Sequence, residues 1–202
     1  MVAALVSTAL LVGHASAGAP SEQLRDRVNA VIRIVEDPAL KGEARAADRR
    51  AAVRQVANEI FDFAETTRRS LGRHWQARTP AEQAELVGLF TDLLERTYVS
   101  KIETYSGEKI QYLGDTVDGA HATVRTKLVT RQGTEIPVDY RMHAKNGRWL
   151  AYDVTIEGIS LVGNYRGQFN KILQMSSYAE LVQKLRAKHA EGLEAHAASP
   201  GK

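Results

Sequence analysis

The sequence predicts an α+β fold, a twisted four-stranded antiparallel sheet packed with a helical subdomain. Three observations carry that expectation. Apolar residues recur at helical spacing through most of 20–107, with capping residues at the starts. Four alternating segments separated by glycine-containing turns fill 108–157. Helical spacing then returns over 160–188. No repeat or long linker interrupts the chain, so 18–188 reads as a single domain, with 1–17 as a leader and 189–202 as a flexible tail.

The helices come first. Pro20-Ser21-Glu22 opens one, with Ser21 as cap, and Leu24, Val28, Val31, Ile32 and Val35 form its apolar stripe until Pro38 breaks it. A second starts near Glu43 and carries Ala47, Ala51, Val53, Val56, Ala57, Ile60, Phe61 and Ala64 on one face. Its alanines and arginines are strong helix formers, which accounts for them without a DNA-reading role. Phe61, Phe63, Leu71 and Trp75 follow as core residues beside Arg68, Arg69, Arg73 and His74. Thr79-Pro80-Ala81-Glu82 is a capping box with proline at the first helical position. The long helix behind it presents Leu86, Leu89, Phe90, Leu93, Leu94, Thr97, Tyr98 and Ile102, reaches Tyr105, and stops at Gly107.

The strands form a meander. Lys109–Val117 turns at Asp118-Gly119 into Ala120–Val129, which turns at Gln132-Gly133 into Glu135–His143. Pro137 places an edge, a bulge or a strand start in the third segment. Lys145-Asn146-Gly147 then leads to Arg148–Ile156, the strand that opens Arg148–Val162, the stretch around which the chain is organised. There Val154 and Ile156 alternate with Asp153 and Thr155, as on a strand with one buried face. Gly158 permits a turn, and Ser160 begins a helix with Leu161, Val162, Tyr165, Phe169, Ile172 and Leu173. A last helix opens at Ser177, with Glu180 at the reciprocal capping position.

Composition excludes several functions. The chain has 44% hydrophobic residues and a net charge of +3, with no dense Lys/Arg tract, so nucleic acid is not indicated. The mild basicity allows loose attraction to an anionic membrane. There is no cysteine, hence no disulfide framework, thiolate metal site or cysteine nucleophile. The apolar run Val2–Gly13 ends at Ala15-Ser16-Ala17, a signal-peptidase-like site, and is shorter than the roughly 20 residues that span a bilayer. The expected mature protein is exported and soluble.

No catalytic or metal arrangement emerges. The six histidines are scattered; His121 and His143 can meet across the sheet, where strand alternation explains both. Asp153 and Glu157 read as solvent-facing residues or partners of Arg148 and Arg166. No phosphate-binding glycine loop and no nucleophile elbow occurs. What remains is apolar: broad stripes and strand faces rich in Val, Ile, Tyr and Trp. Periodicity does not distinguish a closed core from a ligand cavity.

The stretch Val138-Asp139-Tyr140-Arg141-Met142, with Gly147-Arg148-Trp149-Leu150-Ala151-Tyr152-Asp153-Val154-Thr155-Ile156-Glu157-Gly158-Ile159-Ser160-Leu161-Val162-Gly163-Asn164-Tyr165-Arg166-Gly167-Gln168-Phe169, resembles the signature of the MlaC/toluene-tolerance family. Phe90, Leu93, Leu94, Thr97, Tyr98, Ile102, Tyr105 and Gly107 resemble its middle segment. The resemblance implies a periplasmic phospholipid-binding protein that is not an enzyme. It implies an NTF2-like sheet joined to a helical subdomain around an apolar pocket. The bound phospholipid is cargo and no cofactor is needed. The implied partners are an outer-membrane lipoprotein complex and an inner-membrane ABC transporter with an MCE-domain protein, in the system that maintains outer-membrane lipid asymmetry. The resemblance places lipid-binding positions at Phe90, Leu94, Tyr98, Tyr105, Val138, Tyr140, Trp149, Val154, Ile156, Tyr165 and Phe169. Tyr105, Asn164 and Arg166 form its polar mouth. The alternatives are a carrier of hopanoid or another lipid, an NTF2-like enzyme using His121 or His143 with Asp139, and a solid-cored adaptor.

Overall fold

Period-two alternation from Lys109 onward is realised as an antiparallel meander, and the helices before and after it pack on its two faces. The computed structural model describes residues 19–103, 105 and 107–197. The expected leader at 1–17 and the end of the tail at 198–202 lie outside the described residues. The order is α1 (Pro20–Glu36), α2 (Ala46–Ile60), α3 (Phe63–Leu71), α4 (Pro80–Glu103), β1 (Lys109–Asp118), β2 (His121–Val129), β3 (Glu135–Lys145), β4 (Arg148–Ile156), β5 (Ile159–Ser160), α5 (Leu161–Met175) and α6 (Tyr178–Ala197). The α+β class therefore holds.

The sheet has five strands in the order β1-β2-β3-β4-β5, not the four expected. The addition is the two-residue β5, which pairs Ile159 with Ile156 and Ser160 with Thr155. Glu157 and Gly158 between them both have positive φ, as a type I′ hairpin turn requires. Asn146-Gly147 makes the same turn between β3 and β4. The second of these turns carries the Asn-Gly signature and the first does not, so only one was readable as a hairpin. Pro137 sits near the start of β3, opposite Lys127, and its carbonyl accepts the Glu157 N–H.

Four further expectations change. The helix expected from Glu43 through Ala64 is two helices, broken at Phe61-Asp62. At the break Phe61 forms a parallel bridge with Ala151, and the Asp62 N–H donates to the Ala151 carbonyl at 2.9 Å. This covers the part of the β4 edge that the short β5 leaves open. The Asp62 carboxylate then caps α3 by accepting from Glu65 N. Second, Ser21 does not cap α1. The cap position is Ala19, and Asp115 of β1 accepts the Ser21 N–H at 2.9 Å. Third, α6 continues past Lys188 to Ala197 where a flexible tail was expected. Its His189 ring pairs with Asp92 at 2.7 Å and its His189 carbonyl accepts from Arg96 at 2.6 Å, so tertiary contacts hold a turn whose composition alone reads as frayed. Fourth, Asp153 is buried rather than solvent-facing. Its Oδ1 accepts from Val162 N and its Oδ2 from Ser160 Oγ, while Ser160 Oγ accepts from Gly163 N. The carboxylate thus satisfies donors at the start of α5 and complements that helix end.

The apolar residues form two separate cores. Leu24, Ile60, Ala122, Val124, Met142, Trp149 and Ala151 pack between the inner sheet face, α1 and α2. Leu71, Leu86, Phe90, Leu94, Phe169, Leu181 and Leu185 form the core of the helical subdomain α3–α6. Trp149 through Asp153 are consecutively buried because α1 and α2 cover one face of β4 and α3 and α5 the other.

Candidate functional site

Strand register decides which side chains share the inner face. Residues directly opposite across an antiparallel pair point to the same side. Val138 lies opposite Ile156, Tyr140 opposite Val154, and Met142 opposite Ala151. The register slips between Arg141 and Met142, leaving Tyr152 as an extra residue on β4. Because of this bulge Trp149 and Ala151 share a face with Val154 and Ile156, which strict alternation forbids. On β2, Ala122, Val124 and Thr126 join them opposite Met142, Tyr140 and Val138. On β1, Tyr112 and Ile110 follow opposite Thr126 and Leu128.

This face is covered unevenly. Near Leu24 of α1 it is covered, with Val124 and Ala151 fully buried. Toward Ile110, Leu128, Val138 and Val154 the side chains are half-buried, and Ile156 is 38% exposed. Val28, Val31, Ile32 and Val35 of α1 are likewise half-buried. The expected buried face at Val154 and Ile156 is therefore an open one. A bulge redirects it and α1 does not roof it. This apolar sheet face, the trough, is covered beneath Leu24 and partly exposed toward Ile156.

Polar groups sit along the trough. Burial pushes the Tyr140 hydroxyl up to about 12. Burial, and then the neighbouring Tyr140, push the Tyr112 hydroxyl up to about 12 as well. The Arg25 guanidinium lies over the Tyr112 ring at 4.7 Å. Trp149 lines a cavity of about 310 Å³ beside the covered Leu24 end, with Gln23, Leu24, Asp26, Arg27, Glu59, Ile60, Met142 and Arg148. The indole N–H of Trp149 is buried without a partner among the described residues, while its backbone N–H donates to Gln23 Oε1 at 3.0 Å.

The expected lipid positions divide into groups. Val138, Tyr140, Trp149, Val154 and Ile156 come together on the inner face. Phe90, Leu94, Tyr98, Tyr165 and Phe169 come together in the helical core. Phe90 meets Tyr165 and Phe169 edge-on, at ring centroids of 4.8 and 5.1 Å. Tyr105 lies between α4 and β1 and donates to the Glu108 carbonyl at 3.0 Å; burial, then Glu36 and Glu108, raise its pKa. Asn164 and Arg166 are exposed on α5, on the outer side of β4. Arg166 donates to the Arg69 carbonyl at 2.8 Å and packs against Gly72, so it ties α5 to α3. The structure does not bring these two to the Tyr105 end of the trough.

The outer face carries the histidines. His121 and His143 are directly opposite, and both rings meet Tyr152 edge-on. His143 Nε2 lies 3.1 Å and Lys145 Nζ 2.6 Å from Asp62 Oδ2. Burial raises the Asp62 pKa, but the Lys145 and Glu65 hydrogen bonds outweigh it and hold the carboxyl below its ordinary value. Asp139 is opposite Arg125 and Thr155 instead. The Asp/His pair that exists here braces α3 against the sheet and faces away from the trough. Among the described residues no group of His, Asp and Glu is arranged to hold a metal ion, and no helix is long and apolar enough to cross a membrane.

Sequence reasoning missed Tyr112, Ile110, Leu128 and the α1 residues Val28 and Val31 as trough residues. Their period-two and helical spacing was visible, but only the β1–β2–β3 register and the lie of α1 place them beside Tyr140.

The fold is an α+β antiparallel meander with helices on both faces and one apolar sheet face left partly uncovered. The chain belongs to the MlaC family: the family profile described as MlaC protein matches residues 25–187. It is 24% identical over 110 residues to the intermembrane phospholipid transport system binding protein MlaC of Haemophilus influenzae. That match covers 50% of this chain and 51% of the relative, so the chain spans about half the length of the curated relative it matches. A solved structure, the phospholipid-binding protein of Ralstonia solanacearum in complex with a phospholipid, superposes with a TM-score of 0.71. It is 26% identical, and the match covers 87% of this chain and 99% of that one.

Proposed function

We propose that this chain is a periplasmic phospholipid carrier that moves lipid between membranes and catalyses no reaction. The observation that supports it is the half-covered apolar face of the sheet at Tyr112, Val138, Tyr140, Val154 and Ile156, on a fold whose Ralstonia solanacearum relative holds a phospholipid. Acyl chains are taken there, with Val28 and Val31 of α1 as the opposite wall. Phe90, Leu94, Tyr165 and Phe169 support the helical side, and Tyr98 and Tyr105 sit at its margin. The partners are an outer-membrane lipoprotein complex and an inner-membrane ABC transporter with an MCE-domain protein.

Each methylene moved from water to an apolar site gains about 0.8 kcal/mol, so burying about ten of them supplies roughly 8 kcal/mol. A bilayer offers the same methylenes a similar gain. Exchange between carrier and membrane is then nearly balanced, as a shuttle needs.

The test is native mass spectrometry of protein purified from a bacterial periplasm without detergent, followed by solvent extraction and lipid identification. A mass excess matching phospholipid is the expected result. Hopanoid in the extract moves the protein to another lipid class. An apo mass with no uptake from labelled phospholipid vesicles overturns the carrier reading.

A further inference from the structure

The trough contains phenols that the fold itself does not use. Tyr112 on β1 and Tyr140 on β3 stand on the inner face with β2 between them, opposite Thr126 and Val124 respectively. The Tyr112 hydroxyl is buried and has no hydrogen-bond partner among the described residues. Thr126, opposite Tyr112, donates its Oγ1 hydrogen to the Val138 carbonyl at 2.7 Å and makes no hydrogen bond to the Tyr112 hydroxyl. A buried donor left unpaired costs about 1–3 kcal/mol, and native proteins pair nearly all such groups. Phenylalanine at 112 would fill the same space without that cost. The hydroxyl therefore calls for an acceptor that the described residues do not provide.

The position of the phenols narrows the acceptor. A hydrocarbon chain offers none. An ester carbonyl does, and it lies where a diacyl lipid passes from apolar chains to polar headgroup. Tyr112 sits at that kind of boundary: its ring is under the Arg25 guanidinium, and Asp26 is close enough to its hydroxyl to raise its pKa. Tyr140 lies deeper. Both phenols remain protonated donors across the physiological range, since burial holds them high.

We propose that Tyr112 and Tyr140 donate hydrogen bonds to the ester carbonyls of a diacyl glycerolipid, so that the trough selects ester-linked lipids over lipids lacking the carbonyl. The proposal rests on the carrier reading above.

The experiment offers the full chain vesicles containing equal amounts of diacyl and dialkyl phosphatidylethanolamine with matched chain lengths. Native mass spectrometry then counts each lipid on the wild type, Y112F and Y140F. The wild type should carry the diester in excess by about three- to tenfold, the worth of one or two neutral hydrogen bonds. Each variant should move that ratio toward one by losing diester, and lipid-free Y112F, relieved of an unpaired buried donor, should have a Tm no lower than the wild type. A wild type that loads both lipids equally overturns the inference and leaves the carrier reading standing. Phenylalanine variants that are folded and keep the wild-type ratio also overturn it. A wild type that loads neither lipid overturns the carrier reading itself. Should Y112F fail to fold, Y140F and the wild-type ratio decide the matter.

Discussion

Replacing Asp153 by alanine removes the carboxylate that joins β4 to α5. The side chain is 4% exposed, with Oδ1 2.9 Å from Val162 N and Oδ2 2.7 Å from Ser160 Oγ. Arg141 is its nearest cation, at 4.0 Å, and is largely exposed. Hydrogen bonds to a charged acceptor contribute about 1.5–3 kcal/mol each, and the buried Val162 N–H would be left without a partner. An anion at a partly buried helix N-terminus adds up to about 2 kcal/mol, which overlaps with those bonds. Counting the overlap once, D153A should cost about 3–5 kcal/mol, with the Val162 donor as its largest part. For a domain of this size that lowers Tm by roughly 6–20 °C. D153N keeps an acceptor for Val162 N and should lose less. Urea and thermal unfolding followed by circular dichroism measure all three proteins. A D153A loss below about 1 kcal/mol would refute the reasoning, because it would mean the corner is held by packing alone.

Three other predictions follow from the same geometry. Phe90→Ala empties a fully buried site flanked by Tyr165 and Phe169, and chemical denaturation should show a loss of about 3–5 kcal/mol. Ile156→Asp, at a position 38% exposed, should leave Tm nearly unchanged while lowering lipid occupancy in native mass spectrometry; equal losses of both would place Ile156 in the core instead. The Asp62 carboxyl has a folded pKa below its ordinary 3.8. Its contribution is thus complete above that value and drains as pH falls further, because the unfolded chain protonates first. Tm measured from pH 7 to pH 3 should therefore fall less steeply in D62N than in the wild type, and parallel curves would contradict the assignment.

The helical stripes, the capping box at Thr79–Glu82, the Asn146-Gly147 turn and the Ser160 cap were legible in sequence because each is a local signal. Thr79 and Glu82 do exchange hydrogen bonds, and Ser160 does accept from Gly163 N. The family was legible too, in the residues from Val138 to Phe169. The site was legible only in part. Val138, Tyr140, Trp149, Val154 and Ile156 were named together, but alternation puts Trp149 and Val154 on opposite faces, and only the bulge at Tyr152 unites them. Asp153 reads as a surface carboxylate in sequence, and only the start of α5 against it makes it a buried one. Asn164 and Arg166 were near Tyr165 in sequence yet lie on the far side of β4 from the trough.

What the sequence by itself determined is where the main helices and the four long strands lie, and that the chain is a family member without cysteine chemistry. Local periodicity and capping depend on neighbours within a few residues, so one dimension carries them. Only the tertiary structure decided which apolar faces are sealed and which is left open. That outcome depends on strand register, on a one-residue bulge and on how far α1 reaches across the sheet, all of which join residues distant in the chain.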